Sequence, residues 1–141
     1  MASIHLKRVQ GDFGFLATDS DGREVHMDSS PESGGQGFGV RPMQMLLMGL
    51  GGCSGIDIVM ILKKQRQIVN GFSMHIEGER EKGKEPSLWE DVTIVFDLVG
   101  TIDREKAERA CELSMHKYCS VAETLRKSGT RLQWRVTVNG V

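Results

Sequence analysis

The chain has 141 residues, with 18 Lys or Arg against 19 Asp or Glu, for a formal net charge of −1. That length fits a single domain, residues 1–141, with its own core. The balanced charge and 6% aromatic content exclude the basic, base-stacking surface of a nucleic-acid binder. Three cysteines, an odd number, do not suit a secreted disulfide framework. The N-terminus, Met1-Ala-Ser-Ile-His-Leu-Lys7, lacks the apolar core of a signal peptide, so a cytoplasmic location is expected.

The first third of the chain reads as three short strands, Ile4 to Val9, Gly14 to Thr18 and Glu24 to Asp28. Asp19-Ser-Asp-Gly22 carries hairpin turn chemistry between the last two. Ser29 to Gly39 holds four glycines in six positions, at 34–39, and reads as a mobile loop, either a connector or a lid over a site.

Pro42 is well placed to open a helix, which is expected to run to about Val69 and stop at Asn70-Gly71. Lys63, Lys64 and Arg66 complement its dipole. From Met43 to Leu62 only Gln44, Ser54 and Asp57 are clearly polar, and a helix apolar on all sides needs cover all round. Its length also matches a membrane span. Asp57 would be costly in lipid, however, and the flanks read as sheet, so no membrane partner is expected. A second copy of the chain is inferred to help cover the helix. Gly49, Gly51, Gly52 and Gly55 would let two backbones approach closely, or would weaken the helix by about 1 kcal/mol each.

The second half opens with strands Ser73 to Arg80 and Glu90 to Val99, joined as a long hairpin by a charged loop from Glu79 to Pro86. A helix is expected from Arg104 to Tyr118, capped by Thr101 or Asp103, with the apolar residues Ala107, Ala110, Cys111, Met115 and Tyr118 at helical spacing. Ser120-Val-Ala-Glu123 is a capping box that starts a short helix to about Lys127. Leu132 to Val138 is the last strand. The order is β-β-β-α-β-β-α-α-β, an α+β pattern without regular βαβ alternation.

Two cysteines are candidates for chemistry. Cys53 lies among apolar and glycine residues with Asp57 four positions later. A break at Gly51-Gly52 would set it at a new helix N-terminus, whereas a continuous helix would give it little help from the dipole. Asp57 opposes a thiolate there unless a cation intervenes. Cys119 stands just before the capping-box serine, at a helix junction where backbone amides are unpaired. Each is either reactive or an ordinary core residue, and Cys111 reads as core. His5, His26, His75 and His116 are scattered and there is no CxxC, so no metal site and no cofactor are expected. Met43, Met45, Met48 and Met60 read as core filler rather than metal ligands.

The run from Pro42 through the apolar stretch to Cys53, the Gly55-Ile-Asp57 that follows it, and Tyr118-Cys119-Ser120-Val121 resemble the OsmC/Ohr superfamily, in its OsmC-like branch. The resemblance covers nearly the whole chain, including the 66-residue separation of the two cysteines. It implies an intertwined homodimer with long central helices packed between sheets. It further implies a thiol-dependent peroxidase of organic hydroperoxides in oxidative-stress defence. Cys53 would be the peroxidatic thiolate and Cys119 the resolving thiol, reopened by a dithiol reductant. The family's peroxidases carry a glutamate after the helix-start proline, where this chain has Met43, and a partner arginine whose place here is near Phe13. Arg41 or Arg8 would be the substitutes. The alternative is a non-peroxidatic OsmC-like protein that binds through a thiol or takes a small ligand.

Overall fold

The computed structural model describes residues 1–141. The chain forms an α+β fold with two three-stranded sheets, and divides into two compact units, Met1–Leu46 and Leu47–Val141.

In the first unit, β1 (His5–Gln10), β2 (Gly14–Thr18) and β3 (Glu24–Met27) form an antiparallel meander. The β2–β3 turn is built as its sequence predicts. The Asp19 carboxylate accepts the amides of Asp21 and Arg23 at 2.9 and 2.8 Å, and its carbonyl accepts Gly22 at 3.1 Å. The glycine-rich loop, expected to be mobile, is tied down instead. Asp28 is 3% exposed, and its carboxylate accepts the amides of Ser29, Gln36 and Phe38 at 2.7, 3.0 and 3.0 Å. Those amides, Gln36 first and then Phe38, hold the carboxyl below its ordinary 3.8. Phe38 stacks on His26 with ring centroids 4.5 Å apart.

Helix α1 (Pro42–Lys64) is unbroken through Gly51-Gly52. It ends five residues before the expected Val69. Arg66 takes a left-handed conformation (φ 60°), and the Gln67 amide reaches back to the Leu62 carbonyl at 2.9 Å, which closes the helix. The β-branched Ile68 and Val69 then start a strand, so Asn70-Gly71 lies inside that strand at a register shift rather than at a helix stop.

In the second unit, β4 (Ile68–Arg80) and β5 (Trp89–Thr101) form a long antiparallel hairpin, and β6 (Arg131–Val138) pairs with β5 in parallel. Val92, Ile94, Phe96 and Leu98 of β5 are at most 1% exposed and form the centre of the core. The alternation read from the sequence is therefore the alternation of the pleat. Helices α2 (Arg104–Leu113) and α3 (Ser120–Lys127) connect β5 to β6 and add Ala107, Ala110, Cys111, Ala122 and Leu125 to that core.

Helix α1 seats on β4 through two glycines one turn apart. A Cβ at Gly51 would stand 3.0 Å from Ile76 Cδ1, and one at Gly55 would stand 2.9 Å from Met74 Cε. These glycines accommodate sheet side chains; Gly52 faces open space. The α1 window has a mean hydropathy of 2.0, as membrane spans and core helices both do. One chain leaves Leu46, Met48, Ile56, Val59 and Met60 exposed on it.

Candidate functional site

Three elements of the Leu47–Val141 unit converge on the candidate site. Helix α1 carries Cys53 and Asp57 one turn apart, on the same face. Neither sits at a helix start, because α1 does not break at Gly51-Gly52.

Helix α2 begins on Asp103, whose carboxylate accepts the Glu105 amide at 2.9 Å, so Asp103 rather than Thr101 is the cap. The single helix expected from Arg104 to Tyr118 is α-helical only to Leu113. From Ser114 to Tyr118 it widens into a π turn, closed by the Cys119 amide on the Ser114 carbonyl at 2.8 Å. Such turns insert one extra residue and recur at functional sites.

Helix α3 spans the residues expected of it, but its cap is not Ser120. Cys119 has the extended conformation of a cap residue (φ −74°, ψ 106°), and its sulfur accepts the Ala122 amide at 3.4 Å. The thiol thus occupies the position normally held by a serine, threonine or aspartate oxygen.

The two sequence-predicted cysteines meet. Cys53 Sγ, Cys119 Sγ and an Asp57 carboxylate oxygen all lie within 4.8 Å of one another. Asp57 is held from the other side by Ser114, whose buried hydroxyl donates to Asp57 Oδ2 at 3.0 Å and also lies 3.3 Å from the Ser54 carbonyl. Ser114 was not singled out by the sequence, where nothing but its place on a buried helix face marks it.

The two thiols are unequal. Cys53 is half-buried, whereas Cys119 is 3% exposed. Burial pushes the Cys119 thiol up to about 11, against the pull of the Ala122 amide, and the neighbouring Cys53 pushes the same way. Cys111 is fully buried, stands outside the cluster, and is pushed up to about 12 by burial and then by the Glu108 charge. It is the core residue its spacing predicts.

Two clefts flank the cluster. One of about 470 Å³ runs from Asp57 along Met60, Ile61, Leu113 and Tyr118. The other, of about 360 Å³, reaches Cys119 past Lys117, Tyr118, Arg126 and Lys127. Asp57 has no ion-pair partner, and its bond is to Ser114. Arg8 and Arg41, the substitute cations named from the sequence, belong to the Met1–Leu46 unit.

An α+β unit that sets an accessible helix thiol against a buried, helix-capping thiol defines a dithiol protein. The profile of the family described as OsmC-like protein matches residues 33–135, and the chain belongs to that family. Protein YhfA of Escherichia coli K12 is 38% identical over 124 residues, covering 87% of this chain and 88% of YhfA. The crystal structure of a hypothetical protein from Aquifex aeolicus VF5 superposes with a TM-score of 0.82 at 31% identity, covering 99% of this chain and 98% of that one. The organic hydroperoxide resistance protein OsmC of Legionella pneumophila superposes with a TM-score of 0.70 at 17% identity, covering 98% and 96%, and at that identity it speaks for the fold alone.

Proposed function

We propose that the protein is a thiol-dependent peroxidase that reduces small organic hydroperoxides in oxidative-stress defence, with Cys53 as the attacking and Cys119 as the resolving thiol. The observation that carries this reading is the approach of the two sulfurs, within 4.8 Å, from elements 66 residues apart. Cys53, the more accessible sulfur, attacks the distal oxygen of the hydroperoxide. An S–O bond forms, the O–O bond breaks, and the alkoxide leaves as an alcohol once protonated. The sulfur of Cys119 then attacks Cys53 sulfenic acid. The S–S bond forms, the S–O bond breaks, and hydroxide leaves as water with the Cys119 proton. An external dithiol supplies two electrons and two protons to restore both thiols. The groove of Met60, Ile61, Leu113 and Tyr118 suits an alkyl or aryl substituent on the peroxide.

The reading carries with it a cytoplasmic location, where free thiols persist, and a homodimer. Ile56 and Met60, 64% and 53% exposed on α1, favour a second copy as their cover. Sedimentation of the purified chain without detergent tests this, and a monomer at micromolar concentration would rule it out. The peroxidase itself is tested by cumene hydroperoxide consumption with a dithiol reductant. Wild type should turn over and Cys53→Ser should not; equal rates would sink the assignment.

A second reading, a non-peroxidatic thiol or small-ligand binder, is favoured by one observation. The charged group beside the thiols is the Asp57 carboxylate, whereas the family's peroxidases use an arginine. Alkylation of Cys53 against pH separates the two. A midpoint well below about 8.5 marks an activated thiolate and counts against the binder.

A further inference from the structure

We propose that Cys53, Asp57 and Cys119 form a Zn2+ site with three protein ligands and one open coordination position. The inference does not rest on the peroxidase reading. It departs from the sequence expectation of no metal site, which looked for ligands close together in the chain, whereas this set is assembled from two segments 66 residues apart.

Three features of the cluster support it. First, the donor set is right: Zn2+ accepts all three donors, whereas the two sulfurs do not suit the hard cations Mg2+ and Ca2+. Second, the geometry is near what is needed. Tetrahedral zinc, with Zn–S about 2.3 Å and Zn–O about 2.1 Å, requires its donors roughly 3.5–3.8 Å apart. These donors all lie within 4.8 Å of one another, so rotations of about 1 Å at side-chain ends close the set. Third, the supporting bonds are in place. Ser114 holds the Asp57 carboxylate through Oδ2, while the Ala122 amide orients the Cys119 sulfur. No ion pair competes for Asp57.

Binding releases the two thiol protons to solvent and places Zn2+ between two thiolates and a carboxylate. The fourth position would take water or a small anionic ligand. Zinc and a Cys53–Cys119 disulfide exclude each other, because each uses both sulfurs.

The test is metal uptake by the reduced, metal-stripped full chain. Zn2+ is titrated against a chromophoric chelator, and Co2+ is added separately to read the thiolate-to-metal charge-transfer band and the visible bands of tetrahedral cobalt. We expect one equivalent of Zn2+, affinity lowered more than about 100-fold in Cys53→Ser and Cys119→Ser, and lowered about tenfold in Asp57→Asn. Cys111→Ser should bind as wild type does. The proposal is overturned if reduced wild type takes up no zinc, if cobalt gives no thiolate band, or if binding survives loss of both Cys53 and Cys119. The cobalt spectrum of wild type decides the matter without any variant having to fold. Peroxide consumption assayed with a chelator present gives an answer that does not depend on zinc, so either reading can fail alone.

Discussion

The Ser114 hydroxyl donates to the Asp57 carboxylate at 3.0 Å and so ties the wide turn after α2 to the middle of α1. Ser114→Ala keeps the volume of a fully buried side chain and removes one hydrogen bond to a charged group. We expect it to cost about 1–2 kcal/mol in equilibrium urea unfolding. A change under about 0.3 kcal/mol would mean that the bond merely accompanies the fold.

Cys119 has two separable roles, cap and thiol. Cys119→Ser and Cys119→Ala both remove the redox partner of Cys53, but only serine can still accept the Ala122 amide. The serine variant should therefore be the more stable by about 1 kcal/mol. Thermal melts of the two variants side by side measure the cap free of any redox chemistry, and equal midpoints would show that the sulfur does not cap.

The buried thiol of Cys111 makes the fold sensitive to alkali. Its folded value of about 12 lies above the ordinary 9.0. Above pH 9 the unfolded chain gives up a proton that the folded chain keeps, so the stabilisation is complete below about 9 and is lost as pH rises toward 12. Cys119, at about 11, acts in the same direction. Melting temperatures from pH 8 to 11 should fall more steeply in wild type than in Cys111→Ala. Parallel curves would remove the thiol from the explanation.

Acid should act on the Met1–Leu46 unit through Asp28. Asp28 is held below its ordinary 3.8 by the amides of Gln36 and Phe38. Its contribution is therefore present above that value and lost as pH falls through the lower folded one. Asp28→Asn should reproduce the acid effect at neutral pH. Hydrogen exchange at the Gln36 and Phe38 amides is the measurement, and both should lose protection in the variant. Unchanged exchange would mean that the glycine-rich loop holds itself.

Elements that end on clear turn or stop residues were legible from the sequence. Strand β2 and helix α3 fall where the sequence predicts, bounded by Asp19-Ser-Asp-Gly22 on one side and by Ser128-Gly129 on the other. The end of α1 was hidden because its stop is Arg66, a non-glycine in a left-handed conformation that sequence patterns assign to glycine or asparagine. Ser120 drew the cap assignment because thiols are not ordinary cap residues, and the sulfur next door performs the task. The pairing of Cys53 with Cys119 could not be derived from local pattern at all. The family resemblance supplied it, since nothing in periodicity relates two positions 66 residues apart. Asp57 stood out as the one carboxylate of an apolar run, but its bond to Ser114 depends on a π turn that has no compositional signature.

That turn makes the site a matter of chain length as well as residue type. Each residue advances a helix by about 100°. Remove one of the residues 115–118 and the Cys119 amide can still close on the Ser114 carbonyl, now as an ordinary α turn, so the thiol keeps its phase. Remove two and it cannot: the thiol falls roughly a quarter-turn out of phase with α1, and every reactive group survives while the two sulfurs no longer face each other. Among relatives, then, a difference of one residue across this turn should be tolerated where a difference of two should not.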